Sequence, residues 1–183
     1  MTHEIIISGF GGQGVMALGK TLAEAGMKEG LSVSWLPSYG PEMRGGTANC
    51  SVVLSEEEII SPMVQNPTEL IAMNKPSLIK FEPTMISGGV LLVNSSIIEI
   101  KATRTDISAY YIPCQEIADE LGNRKTANMV MLGAYIAATK LLRFDTIQEM
   151  LAHLFTGPKA ALVELNVEAL RRGANCVSAE AAK

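Results

Sequence analysis

Ser8-Gly9-Phe10-Gly11-Gly12-Gln13-Gly14 constrains the fold more than any other stretch, because an apolar run ends there in a glycine cluster and the chain restarts with helical spacing. Ile5, Ile6 and Ile7 are three β-branched residues in a row, as expected for a central strand buried on both faces of a parallel sheet. After Gly14, the apolar positions Val15, Leu18, Leu22, Ala25 and Met27 recur at roughly helical spacing, with Lys20, Glu24 and Lys28 between them. The glycines therefore sit where a strand hands over to a helix N-terminus. Unpaired N–H groups and the positive end of the helix dipole favour an anion at such a place. Glycine also lets the backbone approach that anion without a Cβ in the way.

Gly9, Gly11 and Gly14 fit a G-x-G-x-x-G pattern in strand-loop-helix context, which does not by itself name the ligand. A nicotinamide-dinucleotide domain also needs Asp or Glu at the end of its second strand, about 20 residues on, to bind the ribose hydroxyls. The second strand here, residues 32–37, ends without one, and the next carboxylate, Glu42, lies beyond Pro37 and Pro41 in a loop. A plain packing role for the glycines, letting a strand and a helix approach closely, stays open.

A chain of 183 residues is one domain's worth, and its net charge of −4 with scattered Lys and Arg argues against a nucleic-acid footprint. No apolar run approaches the ~20 residues of a membrane-spanning helix. The N-terminus lacks the pattern of a signal peptide, so a cytoplasmic protein is expected. Cys50, Cys114 and Cys176 are widely spaced and form no C-x-x-C pair, which suits free thiols and not a cluster or a zinc site. His3 and His153 have no sequence neighbour that makes them catalytic or metal-binding. The ten Met and 48% hydrophobic content hint that some apolar surface covers a partner.

Further strands are expected at 47–55, 69–73, 89–93 and 108–112, with a short return strand at Ile59-Ile60 stopped by Pro62. Helices are expected at 75–81, 115–121, 127–142 and 146–155, the last capped by Asp145. A final helix is expected from Pro158 to Arg172, ending at Gly173. The pattern predicts a single α/β domain over residues 1–177 with a frayed tail at 178–183, built as a three-layer α/β/α sandwich around a mainly parallel, mixed sheet. Ligands of such sheets bind at the carboxyl ends of the strands, which puts both Gly9–Gly14 and Ser38–Gly46 on one edge.

Ser38-Tyr39-Gly40-Pro41-Glu42-Met43-Arg44-Gly45-Gly46 is too specific for an ordinary connection. It combines a Gly-Pro turn, a charge pair and two glycines that re-enter a strand. Arg44 can bond phosphate or carboxylate bidentately, or simply pair with Glu42 at the surface.

Taken together, residues 9–15, residues 38–46 and Asn128-Met129-Val130-Met131-Leu132-Gly133-Ala134 resemble the gamma subunit of 2-oxoacid:ferredoxin oxidoreductases, most closely the 2-oxoglutarate branch. The resemblance covers almost the whole chain. It implies a non-autonomous subunit of a complex that oxidatively decarboxylates a 2-oxoacid to an acyl-coenzyme A with ferredoxin as acceptor. Alpha and beta subunits, with a delta subunit left open, would carry thiamine diphosphate and iron-sulfur clusters. In fused members the similar domain takes part in binding coenzyme A. That implies cofactor contacts at Gly9, Phe10, Gly11, Gly12, Gln13, Gly14, Met43, Arg44 and Asn128, with no catalytic residue and no metal in this chain. Ser38, Tyr39, Gly40, Pro41, Glu42, Gly45 and Gly46 would form the rest of the loop or an interface. Met43 stands where fused enzymes tend to carry a lysine. Asn128 also suits a bland role, capping a helix or an adjacent turn. A stand-alone dinucleotide-binding reductase or sensor, and a purely structural subunit, are the alternatives.

Overall fold

Strand β1 (Thr2–Phe10) lies inside a six-stranded sheet of order β2-β3-β1-β4-β5-β6. The computed structural model describes residues 1–38 and 47–180. The other strands are β2 (Ser32–Ser38), β3 (Thr47–Ser55), β4 (Glu69–Ala72), β5 (Val90–Asn94) and β6 (Ser108–Ile112). β1, β4, β5 and β6 pair in parallel, while β3 runs antiparallel to both β1 and β2. The sheet is thus mixed and mainly parallel, as the sequence predicts.

The β1-to-β2 crossover goes through α1 (Val15–Lys28) and skips one position, which β3 fills. A dinucleotide fold sets the second strand directly beside the first, so that its end can reach the ribose. Here that neighbour is the start of β3, and the dinucleotide arrangement is not formed.

Side chains alternate across the sheet, and the two faces are covered differently. Ile5, Ile7, Cys50, Val52, Leu54, Ile71, Leu92 and Ile112 belong to the larger core cluster, which packs under helices. α1 lies on β1, β2 and β3, and α4 (Ala127–Thr139) lies on β5 and β6. α3 (Cys114–Glu120), α5 (Phe144–Leu154) and α6 (Ala161–Glu180) complete this side. Every residue of α4 from Ala127 to Ile136 is buried, because sheet and neighbouring helices enclose it; a helix apolar all round belongs in such a place. On the opposite face, Ile6, Leu70, Ala72, Leu91 and Val93 form a smaller cluster under α2 (Lys75–Phe81) and segments without regular structure.

Glycines set how closely the helices approach. A Cβ on Gly26 would stand 2.6 Å from Leu54 Cδ2, and one on Gly19 would run into the Cys50 sulfur. This glycine line, with Leu18, Leu22 and Ala25, is the buried stripe of α1, while Met27 is exposed despite its expected place on it. α4 and α6 meet at backbone contact, with Gly133 against the Leu170 carbonyl and Gly173 against the Val130 carbonyl. Gly173 therefore serves close packing, and α6 continues past it to Glu180, across the boundary expected at residues 177 and 178.

Other boundaries shift for local reasons. α4 stops at Thr139 because Lys140 adopts the left-handed conformation (φ 54°), so residues 140–142 are not helical. α5 starts at Phe144, which puts Asp145 inside its first turn; the cap position is Arg143, with no side-chain bond. Ile59-Ile60 forms no strand, since β3 already pairs on both sides with β1 and β2. α2 begins as its sequence predicts, with Asn74 Oδ1 accepting from the Ser77 N–H at 2.9 Å and Pro76 in the first turn.

Candidate functional site

The C-terminal ends of β1, β2, β4, β5 and β6 share one edge of the sheet, and β3 starts there. At this edge the glycine loop leaves β1. Gly9 has no room for a side chain, because a Cβ would meet Met73 Cβ at 2.7 Å and Val15 Cγ2 at 2.9 Å. Gly12 has φ 92° with open space around it, and Gly14 has φ 76°, conformations that L side chains rarely adopt. Phe10, Gly11 and Gly12 are exposed, so the turn presents backbone to solvent.

Gln13 braces this loop from within. Its Oε1 accepts from the Phe10 N–H at 2.6 Å, and its Nε2 donates to the Met73 carbonyl at 2.9 Å. Both ends of the amide are committed, so Gln13 shapes the turn and ties it to the end of β4. Gly14 caps α1 in the left-handed conformation; no side chain caps the helix and no acidic residue occupies its first turn. The positive end of the dipole is left uncompensated beside the exposed turn, an arrangement that suits a phosphate.

Asn128 reaches the same turn from α4. It is 8% exposed, and its Nδ2 donates to the Gly14 carbonyl at 3.4 Å. A Cβ on Gly14 would stand 2.6 Å from that nitrogen, so glycine there makes room for asparagine. The cap position of α4 is Thr126, which leaves Asn128 bonded to an adjacent turn instead of capping its own helix. Beside Asn128 opens a cavity of 370 Å³ between α1, α4, α5 and α6, lined in part by Thr21, Lys125, Met129, Phe155 and Asn166. Lys125 brings a positive charge there that sequence reasoning missed; its signal was its place three residues before Asn128.

Two further amides were also missed. Asn74 and Asn94 are fully buried where β4 and β5 end, and Asn94 Nδ2 donates to the Met73 carbonyl at 3.4 Å, the same acceptor that Gln13 uses. Asn74 Nδ2 and Asn94 Oδ1 have no partner among the described residues. An asparagine directly after an apolar strand, twice, was the readable sign.

Tyr39, Gly40, Pro41, Glu42, Met43, Arg44, Gly45 and Gly46 lie outside the described residues. Their anchors are clear: Thr47 pairs with Phe10, and Ser38 pairs with Asn49. The second loop thus leaves from and returns to the edge that carries the glycine turn.

Cys50 and Cys114 are buried and held as thiols. Burial pushes the Cys50 thiol up to about 11, opposed by the facing Trp35 indole, and burial raises Cys114 well above the ordinary thiol range. Among the described residues, no group of three His, Cys, Asp or Glu side chains could hold a metal ion. His3 does gain a partner through folding, Glu69 at 2.7 Å, but at the opposite edge, about 23 Å along β1 from Phe10.

The sequence profile of the pyruvate ferredoxin/flavodoxin oxidoreductase family matches residues 4–176. This chain belongs to that family. The ketoisovalerate oxidoreductase subunit VorA of Methanothermobacter thermautotrophicus is 40% identical over 169 residues, covering 92% of this chain and 35% of VorA. The chain thus spans about a third of the length of that relative. The 2-oxoglutarate synthase subunit KorC of Methanothermobacter marburgensis is 38% identical over 156 residues, covering 81% of this chain and 84% of KorC. Among solved structures, the gamma subunit of a keto/oxoacid ferredoxin oxidoreductase from Geobacter sulfurreducens superposes with a TM-score of 0.84 at 29% identity, covering 98% of both chains. The 2-oxoglutarate:ferredoxin oxidoreductase of Magnetococcus marinus, solved with 2-oxoglutarate, coenzyme A and succinyl-CoA, shares the fold at a TM-score of 0.89 and 24% identity. It covers 97% of this chain and 31% of that one. The family and the gamma-subunit fold agree with the resemblance read from the loops.

Proposed function

We propose that this chain is the gamma-type subunit of a cytoplasmic, multi-subunit 2-oxoacid:ferredoxin oxidoreductase, and that its glycine edge supplies part of the coenzyme A site. The observation that carries the reading is the exposed Gly11-Gly12 turn at the uncapped start of α1, braced by Gln13 and Asn128. A diphosphate fits there: the backbone is open, the helix dipole points at it, and Lys125 stands close to Asn128. Phe10 to Gly14 would hold the phosphates, while Met43 and Arg44 would approach from the second loop. Coenzyme A would bring the thiol that accepts the acyl group; this chain's residues bind and orient its far end.

Thiamine diphosphate and iron-sulfur clusters are assigned to alpha and beta partners that pass electrons to ferredoxin. 2-Oxoglutarate is the proposed substrate. The 40% identity to a ketoisovalerate subunit favours a branched-chain 2-oxoacid as the second reading, and comparing kcat/KM for the two acids on the purified complex separates them. In the assembled enzyme, Arg44→Ala and Asn128→Ala are expected to raise the KM for coenzyme A about tenfold while leaving the KM for the 2-oxoacid unchanged, the loss of one charge-assisted contact. An unchanged KM for coenzyme A in both variants refutes the site.

A further inference from the structure

The face of the sheet opposite α1 is unfinished at β2 and β3. Ser34, Leu36, Thr47, Asn49 and Ser51 point to that side, and among the described residues no helix lies over them, although Val53 and Ser55 farther along β3 on the same side are buried. Antiparallel strands do face water on one side. A solvated edge strand, however, is ordinarily guarded by charges, especially Lys, or by proline, and in β2 the guard is Pro37 alone. β2 is an edge strand, and neither Ser32–Ser38 nor Thr47–Ser55 contains one charged residue.

Past the exposed Glu56, Glu57 and Glu58, residues 59–68 are again without a charge. Val64 of that segment packs on the cluster containing Ile6, and Ile6 pairs with Ser51, so segment and strands adjoin on one face. Apolar side chains of β2 and of this segment stand in solvent: Leu36 is 45% exposed, Met63 64% and Ile60 101%. Depletion of charge and exposure of Met are features of the core of a protein interface. The helical side is the reverse, with Lys20, Glu24, Lys28, Glu149, Glu168 and Arg171 forming ion pairs on its surface.

We propose that the β2–β3 face, together with residues 59–68, docks a companion polypeptide of the same enzyme. The occupant is the counterpart of the chain that continues this domain in its long relatives, where the matched region is 35% of VorA and 31% of the Magnetococcus marinus chain. This rests on the subunit reading above and adds which surface carries the assembly. A part-apolar surface whose strands β2 and β3 carry no charge matches a protein interface and offers nothing to a polyanion.

The test uses the complex purified with its companions, against the double variant Leu36→Glu and Ile60→Glu and the control Gln148→Glu on exposed α5. Both altered side chains of the double variant are solvent-facing, so its melting temperature should match the wild type and a binding loss reports docking. The double variant is expected to weaken retention of the companion at least about tenfold, and the control to leave it unchanged. Amides of residues 59–66 are expected to exchange about tenfold more slowly in the complex than in the isolated chain. If the complex assembles but the double variant retains its companion as tightly as wild type, or these amides gain no protection, the docking face is wrong and the subunit reading stands. If no companion carrying thiamine diphosphate or clusters co-purifies, both fall. Protection that arises in the isolated chain with the mass of a dimer assigns the face to a second copy and overturns the proposal.

Discussion

The two faces of the sheet differ in what they can tolerate. Toward α1, α4 and α6 the side chains are mostly apolar, the helices approach to glycine contact, Glu69 is buried against His3, and other ion pairs lie on the outer helical surface. Toward α2 the cover is thin, and among the described residues no helix covers Leu36, Asn49 or Ser51. The first face therefore carries the stability of the isolated chain, while the second is shaped for something outside it.

The largest effect that checks this contrast is a truncation on each face. Leu54→Ala under α1 is expected to cost about 3 kcal/mol, whereas Leu36→Ala on the open face should stay within about 0.5 kcal/mol. Urea unfolding of the two variants measures both, and equal losses would erase the distinction. Next comes the helix crossing. At an open helical site Gly→Ala gains up to about 1 kcal/mol, but Gly133→Ala pushes a methyl into the Leu170 carbonyl, so a net loss of about 2 kcal/mol is expected. A gain in the urea midpoint would show that α4 and α6 can slide apart.

A smaller loss, about 1 kcal/mol, is expected for Gly12→Ala, where space is free but φ is 92°. The same variant should weaken coenzyme A binding by more than it weakens folding, which equilibrium binding to the complex would read. The smallest effect belongs to the thin side. The Arg104 guanidinium bonds Asp106 and lowers its carboxyl from 3.8 to about 2. A depressed carboxylate stabilises fully above its unfolded value and loses that contribution as pH falls through the folded one. Melting curves should show a slight acid-side decline between pH 4 and 2 that Asp106→Asn removes. The change stays small because the pair is exposed to solvent.

Much of the fold was legible in local patterns. The β-branched runs at Ile5–Ile7 and 47–55, the proline-led helix at Lys75–Phe81 and the uniformly apolar α4 each carried a signal within their own span. The site was half legible. The glycine turn and its helix announced themselves, but Gln13 reaches the Met73 carbonyl 60 residues away and Asn128 reaches Gly14 across 114, and no local pattern encodes such pairs. The misplacements share that cause. Gly173 reads as a terminator until the Val130 carbonyl appears beneath it, and Met27 reads as core until Gly26 is seen to hold the contact.

By itself the sequence determined the order of strands and helices, the phosphate-suited turn after β1 and the kinship of both loops to one family, because propensity, glycine conformation and motif spacing act over a few residues. Only the tertiary structure decided that β3 would slip between β1 and β2, that two glycines would join α4 to α6, and that the two faces would be covered unequally. Each of those depends on which surfaces meet, and burial is settled between segments far apart in the chain.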